Sequence, residues 1–159
     1  MAIVLYGALV VGLPRGAPGC DDSAMKSGLL AAAWPGIAVF LTHAALGEIF
    51  GHEPYVDPVM HVSGGTAAAY FFARVPSLLP RQLGTPTRAT TYLLSFGLTA
   101  AVAIVWELIE FLSDHFFATH SQLSVGNTMR DLFNGLVGAT LFVAGDLFAR
   151  RGSSRGGRA

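Results

Sequence analysis

The sequence predicts an all-α protein, a polytopic bundle of transmembrane helices, and its composition provides the first evidence. Of the 159 residues, 52% are hydrophobic and only 13% are charged, whereas soluble domains average about 25% charged residues. A soluble fold of this length could hardly cover its core with so few charges. Positive and negative charges balance at zero, so no overall field attracts nucleic acid and no nucleic-acid partner is expected.

Four apolar segments are long enough to cross a bilayer, which takes about 20 mostly apolar residues and tolerates about 17–25. Pro35 would kink the first segment or mark its true start. Pro58 suits the first turn of the second segment, which ends before Pro76. The shorter run 2–13 predicts a truncated fifth span, an interfacial helix or a hairpin partner. The four main spans, named A to D, are predicted at about 28–50, 58–75, 91–112 and 132–149.

Residues 1–150 are therefore predicted to form a single integral membrane domain. Residues 151–159 are polar and rich in glycine, which predicts a disordered cytoplasmic tail. Cys20 is the one cysteine, which rules out an internal disulfide. Two stretches of small residues, GGTAAA at 64–69 and GLVGAT at 135–140, either form faces where helix backbones approach closely or reflect ordinary glycine and alanine use in membranes.

The distribution of basic residues predicts the orientation of the protein in the membrane. The loop between spans A and B has neither Lys nor Arg, and the loop between C and D has only Arg130. Loops rich in Lys and Arg stay on the cytoplasmic side. The A–B and C–D loops should thus face outward, with a cytoplasmic C-terminus. The basic residues predicted on the cytoplasmic side are Arg15, Lys26, Arg74, Arg81, Arg88, Arg150, Arg151, Arg155 and Arg158.

Most remaining acids and histidines of the spans gather near the outer ends of all four. Several are three or four residues apart, which places them on shared helix faces. Charged groups at membrane depth avoid lipid and face the bundle interior or a water-filled cavity. The sequence therefore predicts one shared polar cavity on the outer side. Its candidate members are His43 and Glu48 in span A, Asp57 and His61 in span B, Glu107 and Glu110 in span C, and Asp131 and Asn134 in span D.

Two of these acids have a structural alternative as helix caps. Asp57 precedes a proline, so it could cap span B. The segment TMRD at 128–131 fits a capping box, in which Asp131 would cap span D.

The segment WELIEF, residues 106–111, cannot be explained by capping. Glu107 and Glu110 lie toward the C-terminal end of span C, where the helix macrodipole disfavours negative charge. Like charges three apart also repel each other. The pair therefore requires a partner, which is a proton, Arg130, His61 or a metal ion.

Three motifs taken together resemble a known group of small bacterial inner-membrane proteins. The motifs are DPVMHVSGG at 57–65, WELIEF, and NTMRDLFNGLVGA at 127–139. The group is the VanZ-like family with the related YjdF-like proteins. In its members an Asp-x-x-x-His opens one helix, a Glu, often in Trp-Glu-x-x-Glu, closes another, and an Asp precedes a last helix of small residues. Two positions depart from these patterns, because Glu110 stands where VanZ-like members usually have Gln, and Asn127 where YjdF-like members tend to have Asp.

The resemblance implies a protein of the bacterial plasma (inner) membrane and the cell envelope. VanZ-like members are associated with glycopeptide-antibiotic tolerance but have no agreed reaction, so the resemblance implies a fold and a site without a substrate. The motif positions that match are Asp57, His61, Glu107, Glu110, Asp131 and Asn134.

The favoured hypothesis is an outward-facing intramembrane pocket that binds a lipid or glycan headgroup. A divalent metal ion is the candidate cofactor, since carboxylates and histidine suit hard cations that polarise phosphate or activate water. Whether a reaction is catalysed is left open. The expected metal ligands are His61, Glu107, Glu110 and Asp131, with Glu107 and His61 as catalytic acid and base. The expected binding residues are Asp57, Glu110, Asp131, Asn134 and Arg130.

Two other classes of function fit the same residues. One is a carboxylate–histidine metal or haem protein for redox chemistry or sensing, with His43 and His61 as axial ligands. The other is a transporter-like or assembly protein in which the polar residues form a proton or ion path, and its small size would then favour a homo-oligomer. Membrane lipids are expected partners in every case.

Overall fold

Helices account for nearly all of the chain that the structure, a computed structural model, describes. The described residues are 22–50 and 56–156, and none of them lies in a strand, which confirms the predicted all-α class. The predicted apolar segment at 2–13 lies outside the described residues. The helices are α1 (Asp22–Phe50), α2 (Val56–Leu78), α3 (Pro80–Leu83), α4 (Arg88–Phe117) and α5 (Val125–Gly156).

Within residues 22–50 and 56–156, three helices are both long and apolar enough to cross a membrane, where four main spans are predicted. They contain the segments Ser23–Leu46, Arg88–Phe117 and Val125–Arg151, which correspond to predicted spans A, C and D. Pro35 lies inside α1 and does not mark its start. The helix α5 continues to Gly156, so the segment predicted as a disordered tail begins within a helix.

The fourth predicted span forms a helix, α2, but its composition is not that of a lipid-facing segment. It is the central helix of the bundle, since it packs against α1, α4 and α5. Its buried residues are mostly small, among them Gly65 and Ala69. Neighbouring helices, rather than lipid, surround α2, and small residues let those backbones approach closely. Three of the four predicted spans are thus apolar enough by composition to cross a membrane. Burial inside the bundle removes the need for a strongly apolar surface on α2.

The contact between α2 and α5 is made by glycines on both helices. A Cβ atom at Gly65 would collide with the backbone of Gly135, and one at Gly138 with the backbone of Val62. The Thr66 hydroxyl donates a hydrogen bond of 3.1 Å to the Gly138 carbonyl. These contacts confirm that GGTAAA and GLVGAT are packing faces.

The pairing of residues along the helices fixes their relative directions. The α2–α5 contacts run from Asp57 with Arg130 to Tyr70 with Phe142, so these two helices are parallel. The α4 residue Ser95 contacts Ala69, and the early α4 residue Tyr92 bonds to the late α5 residue Asp146, so α4 runs antiparallel to both. The N-terminal ends of α2 and α5 therefore meet the C-terminal end of α4.

The large apolar side chains point away from the bundle. Leu93 is 73% exposed, Phe117 is 75% exposed and Phe148 is 72% exposed. Soluble monomers rarely expose so much contiguous apolar surface. The outer surface of the helices is thus the surface expected in contact with lipid.

We expect Ser95→Ala to lower the free energy of unfolding by about 1 kcal/mol, the usual net value of one buried hydrogen bond. Ser95 is fully buried, and its hydroxyl donates a 2.7 Å hydrogen bond to the Ala69 carbonyl across the α4–α2 contact. Unfolding in mixed detergent would measure the change. Ser77→Ala is the control, because the Ser77 hydroxyl bonds only within its own exposed turn. Equal stability of the two variants would contradict the prediction.

Candidate functional site

Asp57 joins three helices through its carboxylate. Its Oδ1 atom lies 3.4 Å from Nε2 of His61, one turn along α2, and 3.8 Å from Nε2 of His43 on α1. Its Oδ2 atom lies 3.2 Å from the guanidinium of Arg130 on α5. A residue that served only as a cap would bond to the backbone of its own helix. Asp57 is instead directed at three side chains, of which His43 and Arg130 belong to other helices.

Arg130 links the two acids at the start of the parallel helices. Its Nε atom lies 3.3 Å from Oδ1 of Asp131, while another guanidinium nitrogen reaches Asp57. The same guanidinium donates a 2.7 Å hydrogen bond to Oδ1 of Asn127, and the Asn127 amide donates to the Asp131 carboxylate. The planar fork of arginine suits this role because it presents several donors at once.

Asp131 is not a helix cap, contrary to the capping-box alternative. The helix α5 begins at Val125, about two turns before the predicted start of span D. The Ser124 hydroxyl accepts the backbone N–H of Asn127 at 3.1 Å, which is the geometry of an N-cap. The boundary was misplaced because the first two turns are polar. Asp131 consequently lies inside the helix and is only 1% exposed.

His61 lies at the centre of the acidic residues. Besides Asp57, the carboxylates of Asp131 and Glu110 are within electrostatic reach of its ring. Its side chain is only 11% exposed. The imidazole therefore lies where it can bind a cation when neutral, or balance the acids when protonated.

Glu107, the first acid of WELIEF, is buried and incompletely paired. It is 5% exposed, and its Oε2 atom has no hydrogen-bond partner among the described residues. His61 and Asp131 are its main charged neighbours, so its carboxylate belongs with the other acids and does not face lipid. A buried oxygen without a partner is costly, and such a group marks a place where a ligand would be stabilised.

Glu110, the second acid of WELIEF, is held by a residue of the same segment. Trp106 donates an indole hydrogen bond of 2.8 Å to its Oε1 atom. The Trp106 ring packs edge-on against Phe40 of α1, with 6.0 Å between ring centres. The partner predicted for this acid was a proton, Arg130, His61 or a metal ion, and the indole is an addition that sequence reasoning missed.

Seven residues thus gather at one end of the bundle, and we call them the polar cluster. Asn134 lies one turn further along α5, and its Nδ2 atom is buried without a hydrogen-bond partner among the described residues. Glu48 is placed in α1, but its side chain lies outside the described part of the chain. The polar cluster comprises His43, Asp57, His61, Glu107, Glu110, Arg130 and Asp131.

Asp114 orders the loop beside the polar cluster, a role that sequence reasoning also missed. Its carboxylate accepts the backbone N–H groups of Ser121 at 2.9 Å and Gln122 at 2.8 Å. The helix α4 ends nearby at Phe117 and is followed by Ala118, the C-cap, which has a left-handed φ of 51°. An acid followed by small polar residues near a helix end is the signal that could have indicated this turn.

Part of the polar cluster has the donor set of a metal site. One ligand atom from each of Asp57, His61 and Asp131 lies within 4.8 Å of the others. Ligands about 2.1 Å from a metal are about 3–4.2 Å apart, so only a small inward shift is needed. Two carboxylates and an imidazole suit a divalent ion such as Mn²⁺ or Zn²⁺. This donor set suits a divalent ion, and it includes two of the four expected ligands, His61 and Asp131, together with Asp57.

A known protein family matches residues 26–152 of this chain, and its description is "Predicted membrane protein (DUF2238)". The matched range contains nearly all of the three apolar helices and the whole polar cluster. No curated protein and no solved structure matches the chain significantly. Because the match covers most of the chain, the protein belongs to the DUF2238 family of predicted membrane proteins.

Proposed function

We propose that this is a bacterial inner-membrane protein whose polar cluster binds the headgroup of a lipid or a lipid-linked glycan through a divalent metal ion. Asp57, His61 and Asp131 would hold the ion, and Glu107 would complete its ligands. The C-terminus would be cytoplasmic, so that the cluster faces outward, as the positive-inside rule predicts. The resemblance to VanZ-like and YjdF-like proteins is part of this proposal.

The observation that carries the proposal is that α2, α4 and α5 converge on one site whose polar atoms do not all have hydrogen-bond partners. Three ligand atoms lie within 4.8 Å of one another, and the buried Oε2 atom of Glu107 has no partner among the described residues. Both features arise independently, one from α2 and α5 and the other from α4. A bound cation would satisfy them together.

The charge balance of the polar cluster favours a cation over an anion as the first ligand. Four carboxylates, those of Asp57, Glu107, Glu110 and Asp131, face one arginine and two histidines. With neutral histidines and all four acids ionised, the carboxylates would exceed the guanidinium by three charges. A divalent ion would reduce this excess and could then bind a phosphate or hydroxyl group of the headgroup. Such an ion supplies Lewis-acid polarisation of that group when bound.

We also propose that α2 crosses the membrane as the fourth span. It lies parallel to α5 from the level of Asp57 to the level of Tyr70. Because α5 contains an apolar segment long enough to span, a helix beside it over this length occupies the same depth.

The geometry favours binding over the other two classes of function. The Nε2 atoms of His43 and His61, which would have to bind a haem iron, both lie within 3.8 Å of the same Oδ1 atom of Asp57. The close contact of Gly65 with Gly135 leaves no room for a proton path between α2 and α5. Glu107 and His61 are the residues that a hydrolytic reaction at the bound headgroup would use. The formation of a homo-oligomer stays a prediction.

We expect Asp131→Asn to weaken divalent-metal binding about a hundredfold or more, since even residues that only support a metal ligand contribute about 10–100-fold. Titration calorimetry with Mn²⁺ and Zn²⁺ on the detergent-purified protein would measure it, with elemental analysis of the protein as purified. Asp114→Asn is the control, because that carboxylate is directed at its own loop. Equal metal affinity in Asp131→Asn and the unsubstituted protein would reject the metal site.

The headgroup part of the proposal is tested by native mass spectrometry of the purified protein with its co-purifying lipids. Retained lipid should be lost on treatment with a chelator and regained with the metal. If the amount of retained lipid is unchanged by the chelator, both in the protein and in its Asp131→Asn variant, binding of the headgroup through a metal is contradicted.

A further inference from the structure

A second polar site lies at the other end of the bundle, far from the polar cluster. A cavity of about 190 Å³ opens between α2, α4 and α5. Arg74, which lines it, is about 25 Å from Asp57 along α2 at a rise of 1.5 Å per residue. The residues that matter here are Tyr70, Arg74, Arg88, Tyr92, Asp146 and Arg150.

The charges of this cavity favour an anion. Three guanidinium groups and one carboxylate line it, which leaves an excess of two positive charges. Asp146 is already engaged, because it accepts hydrogen bonds from Tyr92 at 2.5 Å and from Arg150 at 2.6 Å. Neither Arg74 nor Arg88 forms a salt bridge with any described residue. Two arginines are thus available to a ligand.

The start of α4 adds to the positive potential. Arg88 and Thr91, from the first turn of this 30-residue helix, both line the cavity. The N-terminal end of a helix carries the positive end of its dipole and attracts anions such as phosphate.

Part of the cavity wall is aromatic. Tyr70 and Phe142 meet edge to face, with 6.0 Å between ring centres. The Arg74 guanidinium lies over the Tyr70 ring, 5.3 Å from its centre, where cation–π attraction holds it in place. A ligand with a charged head and an apolar body would match this combination.

We propose that this cavity binds the phosphate group of an anionic lipid headgroup, with Arg74 and Arg88 as its principal contacts. Basic pockets between membrane helices are suited to such headgroups. Arg74, Arg88 and Arg150 all belong to the side that the sequence predicts as cytoplasmic. A free phosphate ion offers the same oxygen atoms, so the source of the phosphate has to be distinguished by experiment.

The test compares binding of dioctanoyl phosphatidylglycerol, dioctanoyl phosphatidylcholine and inorganic phosphate to the detergent-purified full chain, with a chelator present throughout. The chelator removes any contribution of a metal at the polar cluster, so this site and the proposed function can fail separately. We expect Arg74→Gln/Arg88→Gln to weaken phosphatidylglycerol binding about 25-fold, because each arginine contributes about fivefold near an anionic headgroup. Phosphatidylcholine should bind much more weakly than phosphatidylglycerol.

Arg81→Gln is the matched control, because Arg81 lies on α3, is exposed and does not line the cavity. Arg74→Lys/Arg88→Lys, which keeps both charges, should retain most of the affinity, and circular dichroism checks that each variant is folded. Binding of inorganic phosphate as tightly as the lipid would support the phosphate site and assign it to a soluble ligand. Equal affinity in the double Gln variant and Arg81→Gln, or no preference over phosphatidylcholine, would overturn the proposal.

Discussion

Gly138→Ala should destabilise the bundle by about 3 kcal/mol, the upper end of the range for overpacking. The new methyl group would meet the backbone of Val62 and Thr66 on α2, and a backbone cannot move aside as a side chain can. Gly65→Ala should have a similar effect, because its methyl group would meet the backbone of Gly135. The helices would have to separate, which also removes the hydrogen bond from Thr66 to Gly138.

The same substitution at other glycines provides the control for this prediction. A Cβ atom at Gly97 or Gly145 would have no neighbour within 4 Å beyond the adjacent backbone of its own helix. Alanine there should leave stability unchanged or raise it by up to about 1 kcal/mol, the difference in helix propensity. Unfolding in mixed detergent would compare the four variants. If Gly138→Ala is as stable as Gly145→Ala, the close contact between α2 and α5 is refuted.

Arg130→Ala should cost about 2 kcal/mol of stability when no metal is present. It leaves Asp57 and the buried Asp131 without their shared guanidinium, and an uncompensated buried charge is strongly destabilising. The expected cost is below that of a fully buried pair because the Arg130 side chain is 41% exposed and partly screened by solvent. Arg130→Lys should recover only part of the loss, since an ammonium group lacks the fork that reaches both acids.

A divalent metal should reverse the loss in Arg130→Ala. At about 100 times its Kd, a bound ligand adds about 2.7 kcal/mol of stability. The unsubstituted protein should gain less, because the metal competes there with Arg130 for the same carboxylates. Thermal unfolding with and without Mn²⁺ would measure both effects, with Arg81→Ala as the control. Equal stabilisation of the variant and the unsubstituted protein would show that metal and guanidinium do not share a site.

The sequence predicts the helical class well, because hydropathy reports what faces lipid. Spans A, C and D correspond to helices with large exposed apolar residues, such as Leu93 and Phe148. Hydropathy does not report helix ends, and α5 begins at Val125 because Ser124 caps two polar turns. It also does not report which helix is central, a property of packing between distant segments.

The members of the polar cluster could be predicted from helical spacing and from the cost of placing charge in lipid. The convergence of Asp57, His61 and Asp131 follows from that reasoning. The hydrogen-bond and ion-pair partners of each residue cannot be predicted in this way, since they depend on side-chain geometry. The indole of Trp106 that bonds to Glu110, and the bridging of two acids by Arg130, require the three-dimensional arrangement.

The composition of the central helix has a consequence for the biogenesis of the protein. The insertion machinery releases a helix into lipid according to its hydrophobicity, and charged residues near the helix centre are costly in that step. As the proposed fourth span, α2 carries Asp57, His61 and Arg74 and would gain little from lipid by itself. It would have to enter together with α1 as a helical hairpin and be retained once α5 packs against its glycines. The helix α5 would then complete the folding of a segment synthesised about seventy residues earlier.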